Sequence, residues 1–315
     1  MCNNQAGQSV DFFAMDTVMT LTAYGDNAQT GLSAAETEIN RLDALLSVEN
    51  SASEVYHINL DGSGELSPET AVLINESLEI YKLTDGAFDI TVYPLMKKWG
   101  FYTGEYALPT DTELSELLAC VGSDKLALTE NTLTLTKAGM GIDFGGIAKG
   151  YASDKAAEVL AENGVESALI SLGGNIRVLG AKPDGTPWRI AIRNPEDENT
   201  PIGIVKVMDK SVITSGSYER YFEMNGKTYH HILDPKTGLP AENGLQSVTI
   251  VCERGILADG LSTALFVMGK DKALAFWRNH TDMFDAVLVS DDGEIVITAG
   301  LADIFSSSLD YEVSR

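Results

Sequence analysis

A chain of 315 residues is long enough for one large or two medium domains with a sizeable core. Its 44% hydrophobic and 22% charged content is ordinary for a globular protein, but the formal net charge of -24 is not. That charge argues against nucleic acid and anionic membrane surfaces as partners, and a phosphate-bearing ligand would call for a divalent metal or a local cation.

The chain begins with a polar segment, Cys2-Asn3-Asn4-Gln5-Ala6-Gly7-Gln8-Ser9. A lipidated cysteine followed by a polar tether opens a mature bacterial lipoprotein, so residues 1–10 read as a tether and residues 11–315 as one domain. On this reading the protein is extracytoplasmic, in the periplasm or on the outer face of the cell membrane, and meets the membrane only through Cys2. No run approaches the length of a transmembrane helix. The other cysteines, Cys120 and Cys252, lie in apolar surroundings and read as buried thiols with no disulfide or zinc spacing.

Residues 11–24 read as an opening strand that ends at Gly25-Asp26-Asn27. Apolar positions at helical spacing (Leu32, Ala35, Ile39, Leu42, Leu45, Leu46) predict a helix over 29–46. A polar loop follows, and Ser67-Pro68-Glu69-Thr70 opens a second helix that stops at Asp85-Gly86. Residues 87–95 read as extended, 103–110 as a loop, and Asp111 as the cap of a short helix to Cys120. A hairpin is expected across Glu130-Asn131, then a strand, a glycine turn and a helix over 140–163. Strands dominate from there (165–172, 174–180, 187–193, 202–208, 211–215, 218–225, 227–233 and 246–252). Helices follow near 258–268 and 270–279, and strands at 284–290 and 293–298 close the chain. Helices early, strands later and no regular βαβ alternation predict an α+β fold.

Three segments carry the chemistry. His230-His231 sits before Asp234-Pro235-Lys236-Thr237-Gly238, a turn in which proline fixes φ and glycine supplies φ > 0. Successive strand residues point to opposite faces, so one of the two histidines can face a given cleft. The alternative is a polar loop with solvated histidines. Gly145-Gly146, between Asp143 and Lys149, forms a turn that lets backbone approach a ligand, or simply packs tightly. Asp259 and Thr263 are four apart on a helix, a pairing suited to a hard, oxygen-ligated cation such as Mg²⁺, or else to a helix N-cap. Gly173-Gly174-Asn175 reads as a tight turn, and Thr214–Tyr221 as a polar turn able to bond a ligand or itself. Tyr93, Trp99, Phe101 and Tyr102 form an aromatic group that can stack on a flat ring or fill core.

In order, these segments resemble the ApbE family of FAD:protein FMN transferases. The resemblance spans Met15-Asp16-Thr17 to about residue 300 and is carried by residues 86–92, 143–150, 172–175, 231–238 and 258–264. It implies a T-fold-related α+β architecture of mixed sheets with flanking helices, in one or two lobes around a central FAD cleft. It also implies transfer of the FMN half of FAD to a Thr or Ser hydroxyl of a target flavoprotein, with AMP released and Mg²⁺ required. Residue by residue, the metal ligands would be Asp259, Thr263 and the carbonyl of Gly146. FAD contacts would come from Met15, Ala87, Phe88, Asp89, Asp143, Lys149 and Ile232. His231 matches the family's single loop histidine and is the candidate base, leaving His230 as its dispensable neighbour. Two departures stand out: the family usually has glycine where this chain has Asp16, and some members have an aromatic at the position of Glu49. Hydrolysis of FAD to FMN and AMP, and non-catalytic FAD binding by a lipoprotein, are the competing readings.

Overall fold

The computed structural model describes residues 7–315 apart from residue 198, so Cys2 lies outside the described residues. A nine-stranded sheet organises them. Across it run Gln8–Ala14, Thr17–Tyr24, Ser167–Leu172, Asn175–Leu179, Ser211–Gly216, Leu245–Cys252, Asp285–Ser290, Ile295–Thr298 and Glu312–Ser314. Neighbours are antiparallel except the last pair. Both faces are covered, so alternate residues feed two cores. Ile213 and Ile250 point into the larger core, while Val212 and Val251 point into the other. That double burial explains why Leu245–Cys252 reads as an almost unbroken apolar run.

Eight helices were identified among the described residues: α1 (Ala28–Leu46), α2 (Glu54–Asp61), α3 (Pro68–Leu83), α4 (Tyr93–Trp99), α5 (Asp111–Leu118), α6 (Ala148–Glu162), α7 (Gly255–Met268) and α8 (Lys270–Arg278). α1, α3, α6 and α7 build the larger core against one sheet face. A small sheet of Phe305–Ser306, Gly203–Val207 and Trp188–Ile192 covers the other. A third cluster, around Leu95, Trp99, Phe101, Leu114, Phe222 and Leu233, joins α4 and α5 to the hairpin Tyr221–Met224/Lys227–His230. The architecture is α+β, with the early helices and later strands in the expected order. No described helix is long and apolar enough to cross a membrane.

Five local expectations need correction. The opening strand is two strands: residues 8–10, assigned above to the tether, begin the first, and a turn at Met15-Asp16 leads into the second. The polar loop after α1 contains α2, which opens on Ser53, whose hydroxyl accepts from Tyr56 N–H. Residues 90–99 are helical rather than extended, because the Asp89 carboxylate accepts the Thr91 N–H and Pro94 suits the first turn of α4. α5 is capped by Thr110, not Asp111, through a capping box with Glu113. Residues 140–146 join no sheet. They are held instead by Asn59 of α2, which accepts from Ile142 N–H and donates to Ile142 C=O at 2.7 and 2.8 Å. Cys252 is buried and its thiol pKa is pushed up to about 12 by burial, whereas Cys120 is half-buried.

Candidate active site

A cleft of about 240 Å³ opens where α1, the Met15-Asp16 turn, the Phe88–Met96 segment, the glycine turn and the histidine loop converge. Seven of the residues singled out from sequence line it: Met15, Phe88, Asp89, Asp143, Gly146, Lys149 and His231. Ala87, Ile232, Asp259 and Thr263 do not. Ala87 and Ile232 are buried in the main core.

The turn that delivers Met15 is tight. Met15 and Asp16 have φ of 48° and 60°, a left-handed pair that closes the hairpin in register at Ala14↔Thr17. Glycine relieves the steric cost of such a φ, which gives a physical reason for the glycine usual at position 16 in the family that the chain resembles. Asp16 joins Asp43 and Glu49 in an acidic lip. Burial holds the Asp43 carboxyl above its ordinary pKa.

Asp143 and the glycine turn form the floor. The Asp143 carboxylate accepts from Gly145 N–H at 2.7 Å and from the Tyr102 hydroxyl at 2.7 Å. Burial first, and then the Asp143 charge, raises the Tyr102 phenol well above its ordinary pKa, so Tyr102 stays a donor. Asp89 has a different task. Its carboxylate accepts from Thr91 N–H, Thr91 Oγ1, Ser123 Oγ and Ser123 N–H, and so clips two chain segments together from inside.

The two histidines part as strand geometry requires. His230 is buried, edge-on to Phe266 at 5.5 Å, while His231 lines the cleft. His231 donates its Nδ1 proton to the Arg220 carbonyl at 3.1 Å, and its own N–H goes to the same oxygen at 3.0 Å. A carbonyl can only accept, so the tautomer is set and Nε2 is left with its lone pair. Burial first, then the charges of Arg220 and Lys149, push the imidazole pKa down to about 3. Burial and the two nearby cations thus favour the neutral imidazole. Behind it, the Asp234 loop is closed by Gly238 N–H to Asp234 C=O and anchored by Trp99 Nε1–H to Gly238 C=O, at 2.8 and 2.9 Å.

Sequence reasoning passed over Arg220, the cleft's second cation beside Lys149. It lay inside the polar turn noted at 214–221, but nothing local tells a cleft arginine from a surface one. Arg220 donates to Phe101 C=O at 2.6 Å, which fixes its guanidinium on the cleft wall. Tyr102 was noted only as one of an aromatic group.

Asp259 and Thr263 lie behind the glycine turn. A Cβ on Gly146 would stand 3.5 Å from Thr263 Oγ1, so the two are neighbours. Asp259 falls in the second turn of α7, which begins at Gly255 after Arg254; that excludes the N-cap alternative. Its carboxylate is 4% exposed and accepts from Gly150 N–H and Asn175 Nδ2–H, at 2.8 and 2.9 Å. Among the described residues no ion pair reaches it. A buried carboxylate without a countercharge is costly. Among the described residues no group of three or more His, Cys, Asp or Glu is placed to hold a metal ion. The donors on offer are one carboxylate, one hydroxyl and one carbonyl, all oxygen. That set fits Mg²⁺ completed by phosphate oxygens and suits zinc poorly.

Comparison with known proteins gives the family. The chain matches the ApbE family over residues 15–288. It is 37% identical to the FAD:protein FMN transferase of Vibrio cholerae over 270 residues, 82% of this chain and 80% of that one. The solved structure of the Thermotoga maritima ApbE protein superposes with a TM-score of 0.86 at 35% identity, covering 92% of this chain and 96% of that one. The Pseudomonas stutzeri flavinyl transferase ApbE gives 0.85 at 31% identity, covering 97% and 98%. With more than half of its length matched by the family and its fold shared over at least 92% of the chain, this chain belongs to the ApbE family.

Proposed function

We propose that the protein transfers the FMN half of FAD to a Thr or Ser hydroxyl of a target flavoprotein, releasing AMP, in a Mg²⁺-dependent reaction. One observation carries the reading: a neutral, tautomer-fixed His231 shares a cleft with Lys149 and Arg220, and that cleft backs through Gly146 onto Thr263 and the buried Asp259, which has no ion-pair partner among the described residues. The acceptor hydroxyl forms a bond from its oxygen to the phosphorus of the FMN half. The bond from that phosphorus to the bridging oxygen breaks, and AMP leaves with the bridging oxygen. His231 Nε2 takes the hydroxyl proton, a role open to a neutral imidazole. Lys149 and Arg220 oppose the charge of the pyrophosphate, which a chain of net charge -24 would otherwise repel. Asp143, held by Tyr102 and Gly145, fixes the floor against which the flavin half lies. Asp259, Thr263 and the Gly146 carbonyl would hold Mg²⁺, whose chemistry when bound is to neutralise the pyrophosphate oxygens.

Mutation of Asp259 tests this reading. Asp259→Ala should lose Mg²⁺-stimulated transfer by about 10²-fold or more, while FAD still quenches on binding. Mg²⁺ stimulation that survives in the variant would remove Asp259 from the metal site. The extracytoplasmic reading rests on Cys2 alone, and exposure of the intact protein on cells to a membrane-impermeant label would test it.

A further inference from the structure

By its sequence, the polar segment Thr214–Tyr221 can bond a ligand or itself, but Ser215, on strand Ser211–Gly216, reaches α7 instead. Its Oγ lies 2.7 Å from Ser262 Oγ and 3.2 Å from Thr263 Oγ1. A hydroxyl can both donate and accept, so neither contact alone has a direction. A fourth oxygen supplies one. Ser262 Oγ is also 2.8 Å from the backbone carbonyl of Asp259, and a carbonyl can only accept. The single Ser262 proton is therefore spent on that carbonyl, and Ser262, fully buried, must accept from Ser215. That spends the Ser215 proton in turn, so Ser215 can only accept from Thr263. The hydroxyls form a one-way chain, Thr263 to Ser215 to Ser262 to Asp259 C=O. No other assignment puts a proton in every contact.

The Thr263 end of the chain bears on the chemistry. A hydroxyl ligates a hard cation through an oxygen lone pair, and a proton turned toward the ion would oppose it. Here the Thr263 proton is committed to Ser215, so the oxygen beside Gly146 has only lone pairs left to offer. Asp259 is held as firmly: each oxygen of its carboxylate accepts one N–H, from Gly150 and from Asn175. Partners that orient a metal ligand from behind typically carry about 10- to 100-fold in metal affinity. Ser215 itself does not line the FAD cleft.

We propose that Ser215 is a positioning residue for the metal site, holding the Thr263 hydroxyl with its lone pairs free for Mg²⁺. The proposal rests on the assignment of Asp259 and Thr263 as metal ligands above. The experiment titrates Mn²⁺, a cation that suits the same oxygen ligands, into the whole FAD-bound protein without acceptor. Binding is read from the loss of the free-ion EPR signal, against FAD alone as the blank. Thr263→Ala should weaken Mn²⁺ binding, and Ser215→Ala should weaken it about tenfold or more. In the Thr263→Ala background, Ser215→Ala should have no further effect, because the group it orients is gone. A serine that merely supports packing would weaken binding equally in both backgrounds. That equal loss, or wild-type Mn²⁺ affinity in Ser215→Ala, overturns the positioning role and leaves the metal assignment standing. Wild-type affinity in Thr263→Ala removes the metal assignment, and this proposal with it.

Discussion

At the scale of single residues, the cleft is governed by how one imidazole is held. The Arg220 carbonyl sets the tautomer of His231, and the Arg220 and Lys149 charges add to burial in keeping it neutral. His231→Ala should therefore bind FAD normally and slow FMN transfer by about 10² to 10⁴-fold, measured by single-turnover transfer beside equilibrium flavin quenching. Wild-type transfer rates in the variant would remove His231 from the reaction. Arg220→Gln removes one of the two charges. Its acid limb in kcat/KM should move upward toward the ordinary imidazole range, against a wild-type limb well below it, and coincident pH profiles would contradict the electrostatic account. Stability carries the same sign. Folded His231 binds fewer protons than the unfolded residue, so its contribution is present above the ordinary value of 6.5 and is lost as pH falls toward about 3. Much of this was legible in the sequence as residue types, since turn chemistry placed His231 and strand alternation separated it from His230. Arg220 was not, because its cleft position depends on Phe101, 119 residues away in sequence.

Among the elements, close contacts rather than propensity fix the geometry. α6 crosses α7 at Gly150, where a Cβ would lie 2.2 Å from the Gly255 carbonyl and 2.6 Å from Asp259 Cβ. The Gly150 N–H also bonds Asp259. Gly150→Ala should cost about 1–3 kcal/mol of stability and displace the carboxylate as well, so that denaturant midpoint and Mg²⁺ affinity fall together. A variant with wild-type stability and metal affinity would show that the crossing can slacken. Helical and strand periods gave α1, α3 and most later strands, because each hides one regular face. α2 escaped notice because its eight residues bury only Val55 and Ile58. Residues 90–93 read as extended because Ile, Thr, Val and Tyr favour strands, whereas the Asp89 carboxylate, accepting from Thr91 N–H, caps them as a helical turn. The pairing of Asn175 with Asp259, 84 residues apart, has no local signal at all.

For the whole molecule, the net charge of -24 shapes encounter with FAD, itself an anion. Long-range repulsion reaches farthest at low ionic strength, so raising NaCl from about 10 to 150 mM should speed FAD association, as read by stopped-flow flavin quenching. A rate that falls with salt would show that Lys149 and Arg220 dominate the approach. The nine-stranded sheet, covered on both faces, places the glycine turn and the histidine loop around one cleft, with α7 behind the glycine turn. The central claim is that this cleft moves FMN onto a protein hydroxyl. The most direct measurement incubates the protein with FAD, Mg²⁺ and an unflavinylated acceptor domain, then follows acceptor mass and free nucleotide together. The account predicts one covalent FMN on the acceptor for each AMP released. Free FMN appearing with AMP, and an acceptor of unchanged mass, would contradict it and identify a hydrolase.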